Sequence, residues 1–390
     1  MRMVVGLAAA LAVCGPASAQ VALDAKTPMI LTWTPKQQAD WYKSIEDVFK
    51  VTTVKAGGKV HPLPKAASEI APAWTHDGKS WTVDSYMAAY NVSGILVLKD
   101  GKILLEKYGL GRKPDDRWTS FSVAKSVTST LVGAAVQDGK IKSMSAPVTD
   151  YIPELKGTGY DGVTVRQLLM MSSGVKWNED YTDPNSDVAQ AGAPAYALPG
   201  MNPMVSYMRR LPRQHAPGST FNYNTGETDL VGILVSKATG KSLAEYASEK
   251  LWKPYGMERD AIWMVDGGGQ ERGGCCLSVT LRDYGRIGQF ILDGGKAGGK
   301  DVLPPGWALE ATTPQITNAT RERGYGYFWW MPNSGAYEAR GIYGQSITTY
   351  RDERIIIVTN AAWPRATGQD LSMARNAFLE AARTAAKAAN

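Results

Sequence analysis

The sequence predicts an α+β fold, in which an antiparallel sheet assembled from distant segments is flanked by helices and accompanied by a mostly helical subdomain. Three observations point there. Strand-like apolar runs lie on either side of residue 100, a second group of such runs lies beyond residue 324, and helical spacing with long loops dominates the stretch between them. A chain of 390 residues, 44% of them hydrophobic, can also bury a large core.

The first segment reads as an address. Arg2 precedes an apolar run from Met3 to Val13, and Ala17-Ser18-Ala19 supplies the small-residue cleavage pattern. Residues 1–19 are therefore expected to be a signal peptide cleaved after Ala19, and the mature chain to be periplasmic or secreted. Leu11-Ala12-Val13-Cys14 partly matches a lipoprotein box, but the bulky Val13 before the cysteine counts against an anchor at Cys14. Residues 20–85, rich in Pro, Lys and Trp and without a clear period, read as an extension packing on a main domain that spans 86–390.

Within that domain, Val92 to Leu98 and Ile103 to Tyr108 are two strands joined by a hairpin at Lys99-Asp100-Gly101-Lys102. A helix opens at Ser122. The helical subdomain is expected at about 131–265, where Leu230 to Lys237 followed by Gly240 forms a helix with its stop signal. Gly324 to Met331, Tyr337 to Tyr343, Ser346 to Arg351 and Arg354 to Asn360 read as successive antiparallel strands, and a helix from about Leu371 to Lys387 closes the chain. No later apolar stretch is long enough for a transmembrane helix.

Composition excludes several kinds of chemistry. The net charge of +6 is mild and spread along the chain, with no basic block interleaved with aromatics, so nucleic acid is not an expected partner. The three histidines, His61, His76 and His215, belong to no ligand-spaced cluster, so no metal and no other cofactor is expected. Gly78-Lys79-Ser80 and Gly240-Lys241-Ser242 lack the earlier glycine of a phosphate loop, and no G-x-S-x-G elbow occurs. Without Cys14 only Cys275 and Cys276 remain; sequence neighbours rarely form a relaxed disulfide, so none is expected.

One tetrad carries chemistry. Ser122-Val123-Ala124-Lys125 opens an apolar helical run, and residues three apart on a helix share a face, so a hydroxyl and an amine lie one turn apart. An amine held neutral is one of the few groups able to take the proton of a serine and so make it a nucleophile. A second match, Ser173-Gly174-Val175-Lys176, has a glycine at its centre and leads into a polar loop, and reads as a turn. A Ser-Lys pair needs a further proton relay, for which Tyr223, within Pro217-Gly218-Ser219-Thr220-Phe221-Asn222-Tyr223 and just before a helix, is the best candidate.

The order Ser122 to Lys125, then Leu168-Leu169-Met170-Met171-Ser172-Ser173-Gly174, then Pro217 to Tyr223, resembles the serine β-lactamase and penicillin-binding-protein superfamily in its class C-like and esterase branch. The similarity to its 6-aminohexanoate-dimer hydrolase group, whose members cleave linear amides and also esters, runs from about residue 90 to the end. It includes Asn178-Glu179-Asp180-Tyr181, Gly273-Gly274-Cys275-Cys276 with Arg282-Asp283, and Gly341-Ile342-Tyr343-Gly344-Gln345. The resemblance implies a β-lactamase/transpeptidase-like fold, with Ser122 as nucleophile, Lys125 as general base and Tyr223 as the relay to the leaving group. It implies an oxyanion hole from the backbone N–H groups of Ser122 and Ile342, and substrate contacts from Tyr181, Tyr343, Arg272, Trp177 and Trp330, with Trp329 as a further wall residue.

The departures bear on substrate. The Lys-Thr-Gly strand signature that grips a β-lactam carboxylate is absent, since the strand reads Gly341-Ile342-Tyr343-Gly344; weak or no β-lactamase activity is expected. Tyr343 stands where the nylon-oligomer enzymes have a histidine, and Arg272 where they have asparagine. The expected function is thus a serine hydrolase acting through an acyl-enzyme on a small linear amide or ester. The alternatives are a D-alanyl peptide hydrolase, a β-lactamase, or a non-catalytic binder of cell-wall fragments. A homodimer is left open.

Overall fold

The computed structural model describes residues 30–318 and 322–389. The expected leader and the Cys14 site lie outside them. The described residues open with a 3-10 turn at Ile30–Thr32, a short helix at Pro35–Trp41 and strand β1 (Val51–Val54), then a hairpin of Ala73–His76 with Lys79–Thr82. The strands β2 (Val92–Lys99) and β3 (Lys102–Tyr108) follow, then β4 (Arg117–Thr119) and helix α1 (Val123–Gln137). Short helices lead to α2 (Thr225–Thr239), β5 (Ala261–Met264), β6 (Leu277–Thr280) and α3 (Leu281–Leu292). The last part contains β7 (Gly324–Tyr325), β8 (Trp330–Met331), β9 (Tyr337–Gly341), β10 (Gln345–Tyr350), β11 (Ile355–Ala361) and α4 (Gln369–Ala388).

Two sheets organise these elements. The larger has the order β7-β8-β9-β10-β11-β2-β3, so the hairpin from near residue 100 is zipped onto the C-terminal strands by antiparallel pairing of β2 with β11. Both of its faces are covered, which is why β2 and β11 are continuous apolar runs and not alternating ones. Leu96, Leu98, Ile356 and Val358 pack with Tyr284, Ile287 and Phe290 of α3, while Ile95, Val97, Ile355 and Ile357 pack with Phe378, Leu379 and Ala382 of α4. Gly285 and Gly288 let α3 approach closely, since a Cβ at either would sit 2.6 Å from Leu96 Cδ2 or 2.9 Å from Ile347 Cγ2. The β2–β3 turn places Asp100 and Gly101 at φ 50° and 73°, the two positive values that a type I′ hairpin needs.

The smaller sheet has the order β1-β5-β6-β4. Its edge strand β1 comes from the N-terminal extension and pairs with β5, Val51 opposite Met264 and Val54 opposite Ala261. The extension is thus stitched into a sheet that its aperiodic composition did not announce.

Three expectations are corrected. Gly324 to Met331 is not one strand: β7 and β8 pair with each other around a turn at Tyr327 and Phe328, where Phe328 adopts φ 60°. The strand from Tyr337 stops at Gly341, and Ile342–Gly344 form a 3-10 turn instead. Cys275 and Cys276, expected to stay unpaired, are joined in a disulfide across adjacent residues, in a loop where Cys276 takes a left-handed φ of 66°.

Candidate active site

Ser122 occupies the N-cap position of α1, reached from β4 through Ser120 and Phe121. The approach is held by β6: the Ser120 N–H donates to the Leu277 carbonyl at 3.0 Å, and the Ser120 hydroxyl accepts from the Leu277 N–H at 3.0 Å. Residues 123 to 135 of α1 are all buried. Several of its polar side chains find partners: Ser126 donates to the Phe328 carbonyl at 2.6 Å and Thr128 to the Gly273 carbonyl at 2.7 Å, whereas the Ser129 hydroxyl has no hydrogen-bond partner.

The second motif segment of the sequence, Leu168 to Gly174, proves to be a scaffold between the others. Its Ser172 and Met171 carbonyls accept from the N–H groups of Gly218 and Asn222, 2.7 and 2.8 Å away, and the Leu169 carbonyl accepts from Phe328 N–H at 3.1 Å. The loop ending in Tyr223 is thereby fastened to this segment. Asn224 then caps α2, its side chain accepting from Glu227 N–H at 2.9 Å.

Lys125 is 1% exposed, and its amine donates to the Thr225 hydroxyl and the Gly274 carbonyl, both at 2.9 Å. Burial pushes the amine down to about 8; the nearby carboxylates of Glu179 and Asp229 oppose that shift and Arg272 adds to it. Tyr223 lies alongside, with the amine 5.3 Å from the centre of its ring and the ring stacked on Trp330 at 5.3 Å. Burial, with a smaller contribution from Glu179, raises the Tyr223 phenol far above its ordinary value, and the neighbouring Ser122 side chain only partly offsets this. One environment therefore moves the two groups in opposite useful directions. The amine becomes able to lose its proton near neutral pH, while the phenol keeps its own.

Ser122 and Tyr223 open onto a cavity of about 310 Å³, lined also by Glu179, Tyr181, Trp330, Arg340, Gly341, Ile342, Trp363, Ala366, Thr367, Ser372 and Arg375. Gly341 is required by proximity: a Cβ there would lie 2.5 Å from the Ser120 carbonyl oxygen and 3.1 Å from the Ser122 nitrogen. The end of β9 thus touches the backbone leading into Ser122, and Ile342, which follows Gly341, lines the same cavity as Ser122. The guanidinium of Arg340 is ion-paired with Glu338 and Glu322, and Arg375 lies 3.8 Å from Glu338.

The residues expected in the site divide into two groups. Ser122, Tyr223, Tyr181, Trp330 and Ile342 share the cavity, with Lys125 directly behind. Trp177 and Trp329 stand outside the lining; Trp177 is buried and its indole N–H donates to Glu179, and Trp329 is fully buried in the core. Arg272 and Tyr343, expected to meet substrate, are turned elsewhere. Arg272 pairs with the buried Asp229 at 2.9 Å, and Asp229 in turn accepts from Gly274 N–H at 2.9 Å, so Arg272 supports the carbonyl that holds Lys125. Tyr343 has φ 59°, which sends its ring inward, where its hydroxyl donates to the Leu31 carbonyl at 2.8 Å.

One hub was not assigned a role from the sequence. Glu179 accepts from Tyr181 hydroxyl at 2.8 Å, from Thr225 N–H at 3.0 Å, and from the Thr225 hydroxyl and the Trp177 indole. Through Thr225 it is two hydrogen bonds from Lys125. Its place between Trp177 and Tyr181 in a polar stretch was visible, but nothing local says that this carboxylate turns inward.

The sequence profile of the Beta-lactamase family matches residues 81–382, which takes in every residue of this site. The chain belongs to the Beta-lactamase family. Among relatives of this β-lactamase-family protein, the 6-aminohexanoate-dimer hydrolase of Paenarthrobacter ureafaciens is 36% identical over 286 residues, covering 69% of this chain and 72% of the relative. A Bacillus anthracis protein provisionally assigned as a 6-aminohexanoate-dimer hydrolase has a solved structure that covers 92% of this chain and 98% of its own, with a TM-score of 0.77 at 24% identity. A D-stereospecific amidohydrolase from a Streptomyces species shares the fold at a TM-score of 0.55 and 21% identity, over 74% of this chain and 94% of its own. The α+β, β-lactamase/transpeptidase-like architecture expected from the sequence is the one these structures have.

Proposed function

We propose that this protein is an exported serine hydrolase that cleaves small linear amides or esters through an acyl-enzyme. The observation that carries the proposal is the convergence at one cavity of Ser122 and the Tyr223 phenol, with a buried amine beside that phenol. Neutral Lys125 takes the Ser122 proton as Oγ attacks the substrate carbonyl carbon. The carbonyl π electrons move onto oxygen, and the N–H groups of Ser122 and Ile342 stabilise the resulting oxyanion. Tyr223 donates its proton to the leaving nitrogen or oxygen and is reprotonated from the Lys125 ammonium, leaving an acyl-Ser122. Water, deprotonated by the same route in reverse, attacks the ester and releases the acid. Arg272, Asp229 and the Gly274 carbonyl hold the amine in place.

The substrate class follows from the walls. A cavity of about 310 Å³ is at the small end of ligand sites, and Trp330, Trp363, Ile342 and Ala366 offer an apolar path to a short acyl chain. The P. ureafaciens relative supports a linear amide as one substrate type, and the absence of Lys-Thr-Gly at Gly341-Ile342-Tyr343 argues against efficient β-lactam capture.

Intact-protein mass spectrometry with short-chain activated esters, linear amides and a penicillin tests the reading. An acyl adduct is expected from esters and amides, with slow or no turnover of a chromogenic cephalosporin. Lack of any adduct or turnover would favour a silent binding protein, and efficient cephalosporin hydrolysis a β-lactamase. Tyr223→Phe is expected to lower amide turnover by about 10²- to 10⁴-fold and activated-ester turnover much less, because an amine leaves only when protonated and an activated alkoxide does not need it. Parallel kcat measurements on an amide and an ester check this, and equal losses would remove Tyr223 from the relay.

A further inference from the structure

We propose that Tyr343 is a positioning residue for the oxyanion hole and that the N-terminal segment from Ile30 to Phe49 is the anchor it acts against. The inference rests on the serine-hydrolase reading above. Two left-handed residues flank the two N–H donors: Phe121, at φ 44°, directly precedes Ser122, and Tyr343, at φ 59° and ψ 21°, directly follows Ile342. Bulky residues seldom adopt this conformation, and it persists only where surrounding structure over-determines it.

The surroundings that do so come from the N-terminal segment. The rings of Phe121 and Tyr343 meet at 5.2 Å, and Tyr42, fully buried, lies against both, 5.2 Å from Phe121 and 6.3 Å from Tyr343. The Tyr42 carbonyl accepts from Thr119 N–H at 2.9 Å, which ties the same residue to the end of β4 just before the nucleophile. Tyr343 is fastened at both ends. Its N–H donates to the Ala366 carbonyl at 2.9 Å and its hydroxyl to the Leu31 carbonyl at 2.8 Å.

A residue held only by its ring could rotate and let its backbone relax toward ordinary φ, carrying the Ile342 N–H with it. The hydroxyl tether to Leu31 opposes that rotation. Because β9 touches the Ser122 turn at Gly341, the two donors share one support. The segment therefore acts on the reaction without contacting substrate.

The test uses the full-length enzyme and Tyr343→Phe, which keeps the ring and removes the tether. Three quantities are read: kcat and KM on an activated short-chain ester, the inhibition constant of a small alkyl boronic acid, and the melting temperature. The boronic acid forms a tetrahedral adduct on serine whose anionic oxygen occupies the hole. Small displacements of catalytic groups are costly, so kcat is expected to fall about tenfold with KM within about twofold, and boronic acid affinity to fall by the same factor. Tyr42→Leu, which removes the ring packed against the two strained residues and leaves the tether, is expected to shift kcat and boronic acid affinity in the same sense.

Wild-type kcat in folded Tyr343→Phe would overturn the inference, as would a fall in kcat with unchanged boronic acid affinity. If Tyr343→Phe does not fold, Tyr42→Leu decides by the same criteria. A wild-type enzyme that no ester acylates would overturn the serine-hydrolase reading and this inference together, whereas acylated wild type with unaltered variants overturns this inference alone.

Discussion

Ser122→Ala is expected to lower ester and amide turnover by about 10⁴- to 10⁶-fold, the range seen when the nucleophile of a serine hydrolase is removed. The substitution deletes one oxygen at the N-cap of α1, a position where Ser122 makes no capping hydrogen bond, so the helix keeps its own bonds. Folding should be intact by circular dichroism and melting temperature. Steady-state turnover and the disappearance of the acyl adduct together check the assignment. Retention of turnover within tenfold of wild type would place the nucleophile elsewhere.

Lys125→Met is expected to cost about 10³-fold or more in kcat, since under the proposed mechanism it removes the general base for both acylation and deacylation. It also leaves the Thr225 hydroxyl and the Gly274 carbonyl without the amine that bonds them, so melting must be recorded beside activity. The pH profile gives the independent check. Burial lowers the amine to about 8, and only the deprotonated amine can accept a proton. About a tenth of it is neutral at pH 7, so wild-type kcat/KM should rise about tenfold from pH 7 to 9 and then level. A profile flat across that interval would remove Lys125 as the base. The same shift has a stability consequence of known sign. Between about 8 and the ordinary value of 10.5 the unfolded chain holds more protons than the folded one, so this group makes folding more favourable as pH rises through that window.

How far the sequence could be read depended on the range of the interaction involved. Strands β2 and β3 were legible because β-branched apolar runs flank Lys99-Asp100-Gly101-Lys102, and the turn chemistry is local. Helix α2 was legible from its apolar spacing and from Gly240, which takes the left-handed cap at φ 70°. The Ser122-Lys125 tetrad could be picked over Ser173-Lys176 for a local reason as well: Gly174, at φ 79°, lies outside any helix. The order of the three motif segments then pointed to a shared site before any contact was known.

Other features had no local signal. The pairing of Cys275 with Cys276 depends on a backbone turn at Cys276 that neither cysteine announces. Arg272 is a polar residue near a glycine pair, and only the fold reveals Asp229 from α2 beneath it. Glu179 becomes a hub because Thr225 and Tyr181 arrive around it from separate segments. Tyr343 was expected to face substrate because it stands where the nylon-oligomer enzymes have a histidine; a left-handed φ sends its ring inward instead.

By itself the sequence determined the periods, the turns and the helix on which a hydroxyl and an amine lie one turn apart, because these follow from interactions among residues a few positions apart. Tertiary structure decided what that amine is. Its charge depends first on the water removed from around Nζ, and then on the carboxylates of Glu179 and Asp229 and the guanidinium of Arg272, all brought to it from distant parts of the chain. Electrostatic and hydrogen-bonding energies depend on distance through space and on burial, and neither is encoded in the spacing of neighbouring residues.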